Sequence, residues 1–184
     1  MIVLVDMDGV LADFEGRFLE IWRTRFPERP FIPLEHRTTF SLRDQYPEEH
    51  GDDVRAIWYS PGFFRGLPPI AGGRQALEEM TAEGHEVFLC TSPLLRWENC
   101  VPEKYAWAAD HLGDAWTRRM ILTRDKTVVA GDVLVDDKPS VEGVGRPAWE
   151  HVVFDQPYNR EVRGRRLTSW RRWREVIGAG AGKG

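Results

Sequence analysis

The chain predicts a doubly wound α/β fold: a parallel sheet covered on both faces, with a small, mostly helical cap inserted after the first strand. Three observations carry that prediction. Short apolar runs rich in β-branched residues alternate with stretches of helical periodicity, as buried parallel strands and their crossover helices do. Several of those runs end on polar or charged residues. Between residues 14 and 69 the alternation lapses into prolines and scattered aromatics.

The first strand runs through Val3-Leu4-Val5 and is broken by Asp6-Met7-Asp8-Gly9. Residues two apart in an extended chain face the same side, so Asp6 and Asp8 leave the strand end together. Two like charges held side by side are costly without a cation, which points to a metal site. Leu11, Phe14, Phe18, Ile21 and Trp22 then fall at helical spacing, and Pro27 and Pro30 close that helix. From there to residue 69 only a short helix around Asp53–Tyr59 is expected. Residues 14–69 therefore read as the cap, and 1–13 with 70–177 as the core.

Regular alternation resumes at Pro68–Gly73, a turn into a helix carried by Ala76, Leu77 and Met80 and stopped by Gly84. Glu86–Thr91 is the second strand, Pro102–Leu112 a second helix, and Met120–Thr123 a third strand. Asp132–Val135 and His151–Phe154 follow as strands. Ser169–Ile177 is the closing helix, with Thr168 or Ser169 as N-cap. Residues 178–184 read as a disordered tail. Their glycines and Lys183 miss the phosphate-loop spacing by one residue, and no Ser or Thr follows the lysine.

Composition narrows the function. A 42% hydrophobic content suits a globular core, and no stretch approaches a membrane span. The first strand begins at Ile2 with no basic, apolar leader before it, and Cys90 and Cys100 are the two cysteines. Both features suggest a reducing, cytoplasmic setting with no membrane partner. A net charge of −4 argues against general nucleic-acid binding. The arginines between Arg160 and Arg174 could form a phosphate-contacting surface. The acidic total favours a solvated helix face with Trp170 and Trp173 turned inward.

Four strand ends carry polar groups: Asp6 with Asp8, Thr91 with Ser92, Arg124 with Lys126, and Asp136 with Asp137. A parallel sheet gathers all of them on one edge. Together they supply what phosphoryl transfer through a carboxylate needs. There is a nucleophile, a second acid, oxygen ligands for Mg²⁺, and hydroxyl and lysine groups for the phosphate.

In that order, Asp6-Met7-Asp8-Gly9-Val10, Thr91-Ser92, Lys126 and Asp136-Asp137 resemble the haloacid dehalogenase-like phosphatases. The run Thr123–Val129, Glu103–Trp107 and Trp149–Val152 bring the likeness to the 5′(3′)-deoxyribonucleotidases, over nearly the whole chain. The resemblance implies Asp6 as nucleophile and Asp8 as general acid/base. Asp6, Asp8 through its carbonyl, Asp136 and Asp137 would hold Mg²⁺. Thr91, Ser92 and Lys126 would bind phosphate, with help from Lys104 and Arg124. The family's base pocket maps onto Phe14, Phe40, Ser41, Leu42 and Trp58, in keeping with a cap rich in rings. Mitochondrial members carry a tryptophan at Ser41, so stacking on that side is weaker here. The implied partner is a small nucleotide, with a homodimer as the implied assembly. A phosphatase for another small phosphomonoester, such as a sugar phosphate, is the nearest alternative. A phosphoaccepting signalling domain and a nucleotide-binding protein without turnover are the others.

Overall fold

The computed structural model describes residues 1–178; the expected tail, 178–184, lies outside them from residue 179 on. Six parallel strands form one sheet in the order β3-β2-β1-β4-β5-β6. They are β1 (Ile2–Val5), β2 (Glu86–Thr91), β3 (Met120–Leu122), β4 (Val133–Asp136), β5 (Glu150–Phe154) and β6 (Arg165–Leu167). Val3, Leu4 and Val5 are wholly buried, which is why β1 takes the middle of the sheet. After β3 the chain crosses back to the other side of β1, so the order reverses between β1 and β4. That reversal opens a crevice at their carboxyl ends, where open α/β sheets bind ligands.

Alternate residues face alternate sides. Val3, Val5, Val87, Leu89, Val133 and Val135 join the larger core, against α3 (Gly73–Ala82) and α4 (Trp97–Leu112). Leu4, Cys90 and Leu134 face the other way, under Trp149 with Val129 and Val141. Loops rather than helices supply that second cover, because the segments joining β3 to β4 and β4 to β5 contain no α-helix.

Three expectations are corrected. The helix expected to begin at Pro102 begins five residues earlier, at Trp97, with the proline inside it. Arg96 caps it with no side-chain hydrogen bond, so the usual start signal is missing. The sixth strand, Arg165-Arg166-Leu167, was not anticipated. Arg166 fits there because Asp155 and Asn159 Oδ1 receive its guanidinium, at 2.7 and 2.8 Å. The closing helix is a 3-10 turn, Trp170–Arg172, and one α-helical turn, α6 (Trp173–Val176), capped by Ser169. Trp170 and Trp173 do face inward, at 1% exposure each. Trp170 Nε1 donates to the Val10 carbonyl at 2.8 Å, tying the C-terminal turn to the loop after β1.

The inserted segment leaves and rejoins the core at one place, where Asp13 N–H donates to the Pro68 carbonyl at 2.7 Å. Its first helix, α1 (Phe14–Arg25), is capped by the Asp13 carboxylate, which accepts from Gly16 N–H at 2.9 Å. Phe18 and Trp22, one turn apart, bury against Tyr46 and against Val54 and Ile57 of α2 (Gly51–Trp58). A four-residue helix, α5 (Asp114–Thr117), leads into β3. No helix among the described residues is long and apolar enough to cross a membrane.

Candidate active site

The turn after β1 is set by Gly9, whose φ of +74° is open to glycine and strained for other residues. Leu11 and Ala12 N–H both return to the Met7 carbonyl at 2.8 Å, so the loop closes tightly behind Asp6 and Asp8. Asp6 N–H still donates to the Val135 carbonyl, at 2.9 Å, which keeps the carboxylate in line with β4. The ends of β1, β2 and β4 and the turn after β3 thus bring Asp6, Asp8, Thr91, Ser92, Lys126, Asp136 and Asp137 to one cavity edge, with Arg124 exposed at its rim.

Two lysines divide the acids between them. Lys126 Nζ lies 2.9 Å from Asp6 Oδ1 and 2.5 Å from Asp136 Oδ2. Burial works against its charge, but Asp6 and Asp136 outweigh that and raise its pKa. Lys104 Nζ, reaching up from α4, donates to Asp8 Oδ2 at 2.6 Å and to Thr91 Oγ1 at 2.9 Å. The resemblance placed Lys104 with the phosphate. Here it is 1% exposed, and its charge is directed at Asp8 and Thr91. Asp8 Oδ1 is buried and has no hydrogen-bond partner among the described residues.

Side-chain oxygens of Asp6, Asp136 and Asp137 all lie within 4.8 Å of one another. Burial raises the Asp136 pKa, with Asp6 adding to it. Burial, Asp136 and Asp6 together hold Asp137 well above the usual carboxylate range. Asp8 is raised too, by burial first, with Lys104 opposing and Asp6 adding. Four carboxylates therefore face two ammonium groups. An all-oxygen donor set with surplus negative charge fits a hard divalent cation, which would relieve the repulsion that now favours protons.

The cavity, of about 480 Å³, runs from these acids to the cap. Phe14, Phe40, Ser41, Leu42 and Trp58 all line it, so each expected pocket position faces the same space as the acids. Phe14 is fixed by Phe63, edge-on at 5.1 Å, and by Trp58 at 6.1 Å. Phe40, on the 37–45 segment, is 42% exposed and free to meet a flat ligand. Leu94 and Leu95, after β2, also line it.

Several residues here escaped the sequence reading. Tyr158 lines the cavity and its hydroxyl donates to Asp137. Asn159 Nδ2 donates to the Asp137 carbonyl at 2.7 Å. Arg37, 2% exposed, meets the Glu15 carboxylate with Nε at 2.7 Å and Nη2 at 2.9 Å, pinning the Phe40 segment to α1. One signal was available: Gln156–Asn159 begins two residues after an apolar strand, close to where the expected site residues stand on theirs.

Comparison with known proteins decides the family. The family profile described as "5' nucleotidase, deoxy (Pyrimidine), cytosolic type C protein" matches residues 1–181. The chain belongs to this family. The human cytosolic-type 5′(3′)-deoxyribonucleotidase is 49% identical over 185 residues, covering 95% of this chain and 92% of the relative. The human mitochondrial 5′(3′)-deoxyribonucleotidase is 43% identical, covering 95% and 81%. A haloacid dehalogenase-like protein of unknown function from Agrobacterium tumefaciens shares the fold. Its TM-score is 0.61 at 13% identity, covering 98% of each chain. This family member is thus a phosphoric monoester hydrolase on a haloacid dehalogenase-like scaffold.

Proposed function

We propose that the chain is a Mg²⁺-dependent 5′(3′)-deoxyribonucleotidase. It hydrolyses deoxyribonucleoside monophosphates, pyrimidine ones such as dUMP and dTMP foremost, to nucleoside and phosphate. The observation that carries this reading is one cavity with the Asp6/Asp8 pair at one end and the Phe14, Phe40 and Trp58 rings at the other. Its volume suits a mononucleotide.

In the first step an Asp6 carboxylate oxygen attacks phosphorus and the P–O bond to the sugar breaks. Asp8 gives its proton to the departing alkoxide. In the second, water attacks the aspartyl-phosphate and passes its proton to Asp8. Phosphate then leaves and Asp6 is restored. The unpartnered Oδ1 of Asp8 suits this proton traffic, while Lys104 holds Oδ2 and fixes the carboxylate. Burial supports the acid role by letting Asp8 keep its proton at a higher pH than an ordinary aspartate. Asp6, Asp136 and Asp137, with the Asp8 carbonyl, would hold Mg²⁺. When bound, Mg²⁺ supplies positive charge against the anion building on the transferring phosphoryl group. Thr91, Ser92, Lys126 and Arg124 bind the phosphate oxygens.

The pyrimidine preference rests on the family description. A cytosolic setting rests on the cytosolic-type relative and on Cys90 and Cys100, both free and buried. A substrate panel tests the specificity. Phe14→Ala and Phe40→Ala should lose dUMP hydrolysis by raising KM, yet keep hydrolysis of glycerol phosphate. Equal losses on both substrates would remove the rings from base recognition.

A further inference from the structure

The segment after β5 is not used by the reaction above, yet it reaches the site at three points. Gln156 Nε2 donates to the Gly9 carbonyl at 2.6 Å. Asn159 Nδ2 donates to the Asp137 carbonyl at 2.7 Å, and the Tyr158 hydroxyl donates to Asp137 Oδ2. Gly9 makes room for this contact. A Cβ there would sit 2.9 Å from Asp137 Cγ and 3.1 Å from the Tyr158 oxygen. The Tyr158 ring is itself held. Phe40 meets it edge-on at 5.9 Å, and the Arg37 guanidinium lies 5.7 Å from its centre. A buried phenol gripped on two sides is a rigid donor, and it has one acceptor to satisfy.

We propose that Tyr158 is a positioning residue that fixes the orientation of Asp137 for a divalent cation. The inference rests on the metal-dependent nucleotidase reading. With Oδ2 held by the phenol, the carboxylate keeps one orientation, the one that brings it within 4.8 Å of the Asp6 and Asp136 oxygens. Without the hydroxyl, the carboxylate is free to turn away from those two acids. Groups that orient a metal ligand from behind typically change metal affinity roughly 10–100-fold when removed.

Tyr158→Phe removes the hydroxyl and keeps the ring, so the fold and the contact with Phe40 persist. The measurement is Mn²⁺ binding without nucleotide, by electron paramagnetic resonance, for wild type, Tyr158→Phe and Asp137→Asn. The dissociation constant should rise about tenfold in Tyr158→Phe, and at least as much in Asp137→Asn. Saturating metal should return the kcat of Tyr158→Phe toward wild type, with KM for dUMP unchanged. Wild-type affinity in Tyr158→Phe alone would overturn the positioning role and leave the nucleotidase reading intact. Wild-type affinity in Asp137→Asn, or no binding by the wild type, would overturn the metal assignment and this inference with it.

Discussion

Lys104 and Lys126 have the same charge and different work, set by where their ammonium groups end. Lys126 lies between Asp6 and Asp136, so it screens the proposed nucleophile and a proposed metal ligand. Lys104 faces Asp8, opposing the rise that burial gives its pKa. Removing that cation in Lys104→Met lets the Asp8 pKa climb further. Rate is lost as pH rises through this pKa, because only protonated Asp8 can serve the leaving group. The alkaline limb of kcat should therefore move to higher pH in Lys104→Met, as a pH profile of phosphate release would read. A limb that stays put would detach Lys104 from the acid. The four aspartates stand out in the sequence because each of the two pairs follows an apolar run. The pairing of Lys104 with Asp8 does not, since 96 residues separate them and only the docking of α4 brings them together.

At the scale of elements, α1 links the loop after β1 to the proposed base pocket through its cap. Asp13 holds Gly16 N–H, and the next residue, Phe14, faces the cavity. Asp13→Ala should cost about 1 kcal/mol, as N-cap losses do, or roughly 2–4 °C in a chain of this size. KM for dUMP should rise with it as Phe14 loosens. A thermal melt and a KM measurement check both. The helix was readable from its 3.6-residue spacing, whereas β6 was not. Arg-Arg-Leu carries no strand signature, and it pairs because Asp155 and Asn159, placed by the end of β5, satisfy Arg166. The start of α4 was hidden for a related reason, Arg96 offering no cap and Pro102 suggesting a first turn.

For the molecule as a whole, the crevice at the β1/β4 reversal concentrates acids that folding makes reluctant to ionise. Asp8, Asp136, Asp137 and, in the cap, Glu15 all have raised pKa values, burial being the leading cause for each. At these four groups the folded state therefore binds more protons than the unfolded chain, opposed by His151, whose pKa burial lowers. This holds from the ordinary carboxylate range, 3.8 to 4.5, up to the raised values. In that window stability rises as pH falls. With a chelator present, the melting temperature should climb on going from neutral toward mildly acidic pH. Mg²⁺ should raise it at neutral pH and flatten that slope by taking the place of the protons. The parallel sheet that carries this crevice followed from the alternation of apolar runs, whereas its strand order is seen only in the fold. The loop-covered second face did not follow either, because Val129, Val141 and Trp149 share no periodicity. The reaction proposed for this crevice is carboxylate-based, Mg²⁺-dependent phosphoryl transfer from a nucleotide. Its most direct test is phosphate release from dUMP by wild type and Asp6→Asn, each with Mg²⁺ and with chelator. Release should be confined to the wild type with Mg²⁺; equal release in all four conditions would contradict the account.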